Sequence, residues 1–424
     1  MTSIPKLMLA RPVVPLMLTV DRDRFVSLMK EQAEIGETDA GGLHRLTLSE
    51  EDRTARDWFM DLLKAADLNV RVDEMGNTFG RRPGTDPDAA PVLLGSHLDS
   101  QPYSGRFDGP LGVLGALELV HVLDDRDIET THPIEIVNWT NEEGARFQPP
   151  MMGSGVWADK YDIDDAYAAV DGDGVSVEEA LDDIGYRGTE PAEPREEYEA
   201  YLELHIEQGP KLENQGLDIG VVTGIVGLTW TETVFSGQPN HTGPTPMHLR
   251  QDALVAAADL ITQVRRTAGR LSGSTKGTVG AIEYDSEAIS IVPDKVRTVW
   301  EFVDYDDDVV EEGYRRTLEE IDQIARREGV GADSREITRF ESVAFDDRCI
   351  DAVEAVADDL GYGSMRMHAG AGHDPMNVAE VCDTGMVFAV SEDGLSHTEA
   401  EYTSWYDCCS AVNTLINAGY ELAK

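Results

Sequence analysis

Four apolar runs in this chain give way abruptly to histidine or carboxylate. PVLLGSHLDS does so at His97, PIEIVNWTNEEG at Glu142, EAYLELHIEQG at His205 and GMVFAVSEDGLSH near His397. Short apolar runs bounded by turn residues read as strands. Helical segments lie between them, such as LGVLGALELVHVL from Leu111. Strands alternating with helices predict an α/β domain. In such sheets, site residues collect at the carboxyl ends of the strands. The same pattern therefore constrains both the fold and the place where chemistry should sit.

The chain has 424 residues, too many for one compact core, and two domains are expected. Residues 21–68 are helical in pattern. Asp21 can cap RDRFVSLMKEQAEIG, and Ser49 with Asp52 resembles a capping box opening DRTARDWFMDLLKAADL. A strand, NVRVDEMGN, follows. From 224 the texture changes. LTWTETVFSG is strand-like, RQDALVAAADLITQVRRTAG helical, and TVGAIEY and VRTVWEFVD strand-like. DVVEEGYRRTLEEIDQIARREG is helical again, and REITRFESV strand-like. The order β-α-β-β-α-β is a split ferredoxin-like unit. It predicts an inserted α+β domain over 224–342, with the α/β domain assembled from 1–223 and 343–424.

Composition bounds the partners. Acidic residues number 81 and basic ones 35, a net charge of −46. Such a field repels nucleic acid and anionic membranes. Arg far outnumbers Lys among the bases. The combination predicts a protein of a high-salt cytoplasm, where salt screens the self-repulsion. No apolar run of about 18 residues occurs, so no membrane span is expected. Cys349, Cys382, Cys408 and Cys409 form no C-x-x-C pair and read as reduced intracellular thiols. Residues 1–20 hold an apolar stretch broken by Pro5, Pro12 and Pro15, and read as an extended arm rather than a signal peptide. The acidic stretch 160–200 contains Asp171, Asp173 and Glu178. Its spacing is wrong for an EF-hand, and short helices with solvated acids are expected.

The strand ends carry metal-ligand chemistry. His97 and Asp99 stand two apart, so in a strand they face one way, and Asp99 would accept the second ring N–H of a metal-binding His97. Asp108 lies in the glycine-flanked loop SGRFDGPLG, where a carboxylate has two oxygens to share between two cations. Glu142 and Glu143 are adjacent and point differently, so one can ligate while the other handles a proton. His205 and His397 add two nitrogen ligands. Each feature alone is weak: a lone histidine is most often structural, and an acidic pair is unremarkable in an acidic chain. The signal is the set of five, each at a strand end or in the loop after it. Three His, one Glu and one shared Asp leave room for a bridging water between two metals about 3.5–4 Å apart. Zinc, cobalt or manganese suits mixed nitrogen and oxygen ligands.

Longer motifs carry a resemblance over nearly the whole chain, from Arg24 to the C-terminus. They are EIGETDAGGLHRLTLSEEDRTARDWF, DEMGNTFGRRPG, GSHLDSQPYSGRFDGPLGVLGALE, TNEEGARF, ELHIEQGPKLE, GQPNHTGPTPM, GAGHD and GLSHTEAE. Together they resemble the carbamoylase and allantoate-amidohydrolase branch of the M20 metallopeptidase superfamily. The resemblance implies a homodimer with a divalent metal pair, the inserted domain serving as lid and dimerisation surface. It implies hydrolysis of a linear amide in a carbamoyl or ureido substrate. His97, Asp108 and His205 would hold one metal, and Asp108, Glu143 and His397 the other. Glu142 matches the general base that takes a proton from the bridging water. His241, in GQPNHTG, matches a histidine that binds substrate and supports the oxyanion, contributed in the family by the partner subunit. Gln208, Arg250 and Gly394 fall among the substrate-binding positions.

Departures from the family pattern concern recognition. The family's carboxylate-binding Asn and Arg align with Ser290 and Val303. Met376 replaces a Gln and His248 an Arg, while Arg250 is kept. A bidentate Arg is the usual grip on a carboxylate. Its loss points either to another cation, Arg250 or Arg297, or to a substrate without that carboxylate. An aminoacylase or dipeptidase of the same superfamily is one alternative, and an inactive binding homologue another. His205 within HIEQGP favours the carbamoylase branch, since a carboxylate is commoner there in peptidases. Glu142 and all five ligands being present argues against an inactive homologue.

Overall fold

Two sheets organise the computed structural model, which describes residues 17–284 and 288–424. Side by side, the larger one holds β1 (Asn69–Val72), β2 (Thr78–Arg82), β4 (Ile134–Trp139), β3 (Val92–His97), β5 (Ala200–Ile206), β13 (Thr384–Ala389), β6 (Ile219–Ile225) and β11 (Val343–Ala344). β12 (Ser364–Ala369) also pairs with β6. β4, β3, β5 and β13 run parallel and are buried along their whole length. The helices Pro110–Asp125 and Trp405–Ala423 pack on each other and on these strands. Leu94, Leu117, Leu119, Leu204 and Leu415 share the resulting core. Each such side chain contributes about 1.5–3 kcal/mol by leaving water, which gives the strand ends a rigid base.

The smaller sheet is antiparallel, in the order β10 (Gly331–Phe340), β7 (Gly227–Ser236), β9 (Lys295–Asp304), β8 (Lys276–Glu283). The helices Ala253–Leu271 and Asp307–Glu328 cover one face and enclose Phe235, Leu260, Trp300, Phe302 and Ile321. This is the β-α-β-β-α-β order read from the sequence. β7 alternates between buried and half-buried positions as far as Phe235, as a strand with one face on helices must.

Residues 21–68 hold the two helices expected, joined by a loop. Helices span Arg22–Ala33 and Glu50–Ala65. Between them buried Arg45 donates to the carbonyls of Leu98, Gln32 and Ile35, which holds the intervening loop against the end of β3. Asp21 caps the first helix. The capping box is half made. Ser49 Oγ accepts from the Asp52 N–H at 3.2 Å, but the Asp52 carboxylate turns to Leu48 N–H and the buried Arg56 guanidinium. A buried guanidinium left without that partner would be costly. The strand expected over NVRVDEMGN stops at Val72, because Asp73 accepts from the N–H groups of Met75 and Asn77 and turns the chain. The acidic stretch forms two short helices, Ile163–Ala168 and Val177–Ile184, and Asp171 accepts from Arg146. The arm read into residues 1–20 falls largely outside the described residues. Among those described, no helix is long and apolar enough to cross a membrane, and all four cysteines are free.

Candidate active site

The carboxyl ends of the parallel strands bring the five ligand types together. β3 ends on His97, and His205 is the penultimate residue of β5. Glu142 and Glu143 lie in the turn after β4, where Asn141 takes φ +59°. Asp108 precedes Gly109, which caps the helix Pro110–Asp125. The positive end of that helix favours a carboxylate. Gly109 has φ +83°, and a Cβ there would lie 2.5 Å from His97 Cε1. Only glycine lets the helix begin against the imidazole.

Asp108 is the hub. Its Oδ1 lies 3.1 Å from His205 Nε2 and 3.5 Å from His97 Nε2. Its Oδ2 lies 3.5 Å from His397 Nε2, which is 3.4 Å from Glu143 Oε2. Two groups result, His97–Asp108–His205 and Asp108–Glu143–His397, each with donor atoms within 4.8 Å of one another. Glu142 Oε2 stands 3.5 Å from His97 Nε2. All but His397 are buried; that side chain is 48% exposed.

The donor chemistry fits divalent ions. Nδ1 of His97 and of His205 each faces a main-chain carbonyl at 3.0 Å, those of Asp99 and Ile206. A nitrogen facing a carbonyl must carry the hydrogen, so both Nε2 lone pairs point into the shared space. Neither Nε2 makes a hydrogen bond, although both are buried, a state that calls for another partner. Burial raises the Glu142 carboxyl well above its ordinary range against the pull of His97, with Asp374 and Glu143 adding to the rise. Burial, then Asp108, raises Glu143 to about 8. Burial would raise Asp108 too, but His205 and His97 hold it well below the usual value. Three carboxylates packed around free imidazole lone pairs repel one another unless cations balance them. Mixed nitrogen and oxygen donors suit first-row divalent metals.

Asp99 departs from the expected part. β3 stops at His97, so the same-face rule for strands does not reach residue 99. The Asp99 carbonyl, not its carboxylate, takes the His97 hydrogen; the carboxylate is 3.8 Å away. It accepts instead from the N–H groups of Glu142 and Glu143, each at 3.4 Å, and steadies the turn that carries both.

Several neighbours were not singled out by sequence. Gln101 donates through its main chain and side chain to the Glu143 carboxylate. Ser396 donates to Asp108 Oδ2 at 2.9 Å, and Glu401 accepts from the main-chain N–H groups of Phe107 and Asp108. His373 is buried with both ring nitrogens unbonded, 4.0 Å from Glu142 Oε1 and 4.3 Å between ring centroids from His205. GAGHD marks it in the loop after β12, but the run SMRMHA before that loop mixes Arg366 and His368 with apolar residues, so the pattern that exposed the others passes over it. Gln208 and His397 take φ +56° and +55°, strained values that cluster at functional sites. A cleft of about 310 Å³ opens over this cluster, with Met151, Leu228, Trp230 and Phe340 on its apolar walls.

Residues 93–420 match the family model described as Peptidase family M20/M25/M40. The chain belongs to that family. Divalent metal use comes with that membership. A Rhizobium meliloti protein named N-carbamoyl-L-amino-acid amidohydrolase is 41% identical over 96% of this chain and 97% of its own. An Arabidopsis thaliana protein named ureidoglycolate hydrolase is 33% identical over 94% and 86%. The solved structure of a hydantoinase/carbamoylase family amidase from Burkholderia multivorans superposes with TM-score 0.89 at 40% identity, covering 96% of this chain and 98% of the other.

In this M20 chain the residues read as recognition groups stand apart from the cleft, with one exception. Gln208 lines it, donating to Asp108 Oδ2 at 2.8 Å and Ser396 Oγ at 3.2 Å. His241 and Ser290 are exposed on the smaller domain, where the Ser290 carbonyl accepts from the Thr242 N–H. Arg250 donates to the carbonyls of Thr242 and Thr245 and braces the loop carrying His241. Gly394, at φ +66°, is held against Pro210, where a Cβ would lie 2.8 Å from its nitrogen. Arg297 is no free grip. It pairs with Glu232 and, at 2.8 Å, with its cross-strand partner Glu283. Val303 and Met376 are buried.

Proposed function

We propose that this protein hydrolyses the linear amide of an N-carbamoyl amino acid or a related ureido acid, using a divalent pair held around Asp108. It is an amidohydrolase. The observation that carries the reading is Asp108 facing two ligand groups, one with each oxygen. Zinc, manganese or cobalt suits the donors. When bound, such a pair supplies a Lewis acid and acidifies water. Glu142, buried beside the ligands and coordinating in neither group, takes the proton from the attacking water. It returns that proton to the leaving nitrogen as the C–N bond breaks. Asp99 and Gln101 keep the two glutamates at their separate tasks. For a carbamoyl substrate the products are an amine, ammonia and carbon dioxide.

His241 completes the site from a second copy. Its Nδ1 accepts the Gly243 N–H at 3.1 Å, so the neutral ring keeps its hydrogen on Nε2, outward, where an oxyanion needs a donor. It lies away from its own cleft, and exposed apolar residues surround it: Met247, Leu249, Ile289 and Ile291, with Ile289 fully exposed. β8 forms an edge of its sheet. A homodimer built on this face covers both features. We read the smaller domain, 224–342, as lid and dimerisation surface, and the protein as cytoplasmic and suited to high salt.

The test is ammonia release. Protein purified in high salt and loaded with manganese, cobalt or zinc is assayed against carbamoyl amino acids, allantoate, ureidoglycolate, acylated amino acids and dipeptides. Turnover confined to the last two classes would replace the carbamoylase reading with an aminoacylase or dipeptidase.

A further inference from the structure

A second cavity of about 490 Å³ lies where the two domains meet. Lys211 and His368 reach it from the larger domain; Lys276, Asp304 and Tyr305 reach it from the smaller. Three basic side chains around one cavity stand out in a chain with 35 bases against 81 acids. Arginines elsewhere on the surface, such as Arg297, Arg339 and Arg366, each hold carboxylates. Among the described residues neither Lys211 nor Lys276 forms an ion pair. The acid in the wall is already occupied. Asp304 accepts from Ser272 at 2.8 Å, Thr275 at 2.7 Å, Ser274 at 3.3 Å and the Asp306 N–H at 3.3 Å. These donors keep Asp304 ionised, and its charge, with that of Glu301, offsets the lysines' only in part.

Lys276 reaches across the junction. Its Nζ lies 3.1 Å from where a Cβ on Gly370 would sit, in the loop after β12. Desolvation, and then the Lys211 charge, lowers its pKa. The Lys211 charge outweighs the opposing pull of either Asp304 or Glu301 on this ammonium group. His368 stacks on Tyr305 with ring centroids 4.8 Å apart. The cavity also adjoins the catalytic cleft. Phe340, Leu228, Val303 and Lys276 are successive cross-strand partners on one face of the smaller sheet. The first two line the cleft and the last two line this cavity. Such partners stand about 4.5–5.5 Å apart, so only the width of one strand pair separates the two spaces.

We propose that this junction cavity is an oxyanion site, in which a small carboxylate or inorganic oxyanion bridges Lys211 and Lys276 and ties the two domains together. Charge-assisted hydrogen bonds from both ammonium groups hold it. Its source is either a free anion or the carboxylate of a substrate reaching over the Leu228–Val303 row, and the experiment separates the two.

Metal-free full-length protein is titrated with inorganic phosphate in constant molar chloride while Tm is followed. This arm needs no turnover, so failure of the proposed reaction would not affect it. In parallel, the metal-loaded enzyme is assayed on a carbamoyl amino acid and on its neutral amide. A saturable, phosphate-specific rise in Tm that disappears in Lys276→Gln, falls in Lys211→Gln and returns in Lys276→Arg supports the site. With that rise and an unchanged preference for the free carboxylate, the occupant is a free anion. A loss of about tenfold or more in that preference in Lys276→Gln assigns it to the substrate's carboxylate. Wild-type protein that shows no phosphate effect beyond chloride, together with a carboxylate preference untouched by Lys276→Gln, overturns the proposal.

Discussion

At the ends of β3 and β5 the polar groups are buried, crowded and aimed at one another. On the loop of the smaller domain that carries His241 they are exposed or half-exposed and satisfied locally. His97, His205 and Asp108 cannot avoid each other, because the parallel strands and the glycine-capped helix beneath them are packed solid. His241 and Arg250 sit on a surface loop held by its own hydrogen bonds. The first region is complete within one chain. In the proposed function the second is completed by a surface of a partner copy. The proposed function thus divides chemistry and recognition between a preorganised core and an exposed face of the smaller domain. Variants of the two regions should fail in different ways.

The largest effect is expected at Glu142. Glu142→Gln should lower turnover by about 10²–10⁴-fold, the range for general acid–base catalysis. Metal content should stay unchanged, since proton transfer is removed and ligation is not. Elemental analysis alongside steady-state rates checks both halves, and near-normal turnover would remove Glu142 from the reaction. His397→Ala and Glu143→Ala should behave differently, each losing one metal equivalent and most activity. His397 is half exposed, so its loss should leave the apo protein's Tm nearly unchanged. Full occupancy in both variants would break the proposed ligand groups.

His241→Ala should cost about 10²-fold in kcat, the scale of one oxyanion donor, with metal content and Tm unaffected. Its position permits a sharper experiment. If His241 serves the partner's cleft, a His241→Ala subunit paired with a Glu142→Gln subunit rebuilds one intact site per mixed dimer. An equal mixture should then recover roughly a quarter of wild-type activity, the share of intact sites under random two-fold pairing. If each His241 serves its own cleft, mixing recovers nothing.

The same division explains what could be read from sequence. His97, Glu142, Glu143, His205 and His397 were legible because each follows an apolar run, and a strand end is a predictable place. The role given to Asp99 failed because the strand stopped two residues too early, and strand ends are where pattern is least informative. His373 lies in the loop after β12, whose run SMRMHA is interrupted by Arg366 and His368 and so lacks the apolar signature of the others. Arg297 looked like a free cation, yet its pairing with Glu283 depends on the register of β8 against β9, which neither strand's pattern fixes. Where His241 and Ser290 lie relative to a cleft depends on how domains and copies meet, and that is not a local property of any segment.

The smallest effect, and the most evenly spread, concerns salt. Residues 224–342 hold 21 acids against 13 bases, while the rest of the chain holds 60 against 22. Many of the smaller domain's charges are paired along or between its elements, as in Arg315 with Glu312 and Arg339 with Glu336. Exposed pairs of this kind contribute about 0–1 kcal/mol each, so pairing adds little stability; its main consequence is to lower the local net field. The larger domain has no such balance, and its surface acids repel one another over a Debye length of about 10 Å at 0.1 M salt, shrinking to about 3 Å at 1 M. Raising salt from low to molar should therefore raise Tm. The gain in hydrogen-exchange protection should be greater in β3, β4 and β5 than in β7 and β9. A flat or falling Tm would contradict the high-salt reading. Equal protection gains in both sheets would show that the two regions, however different in chemistry, respond to salt as one cooperative unit.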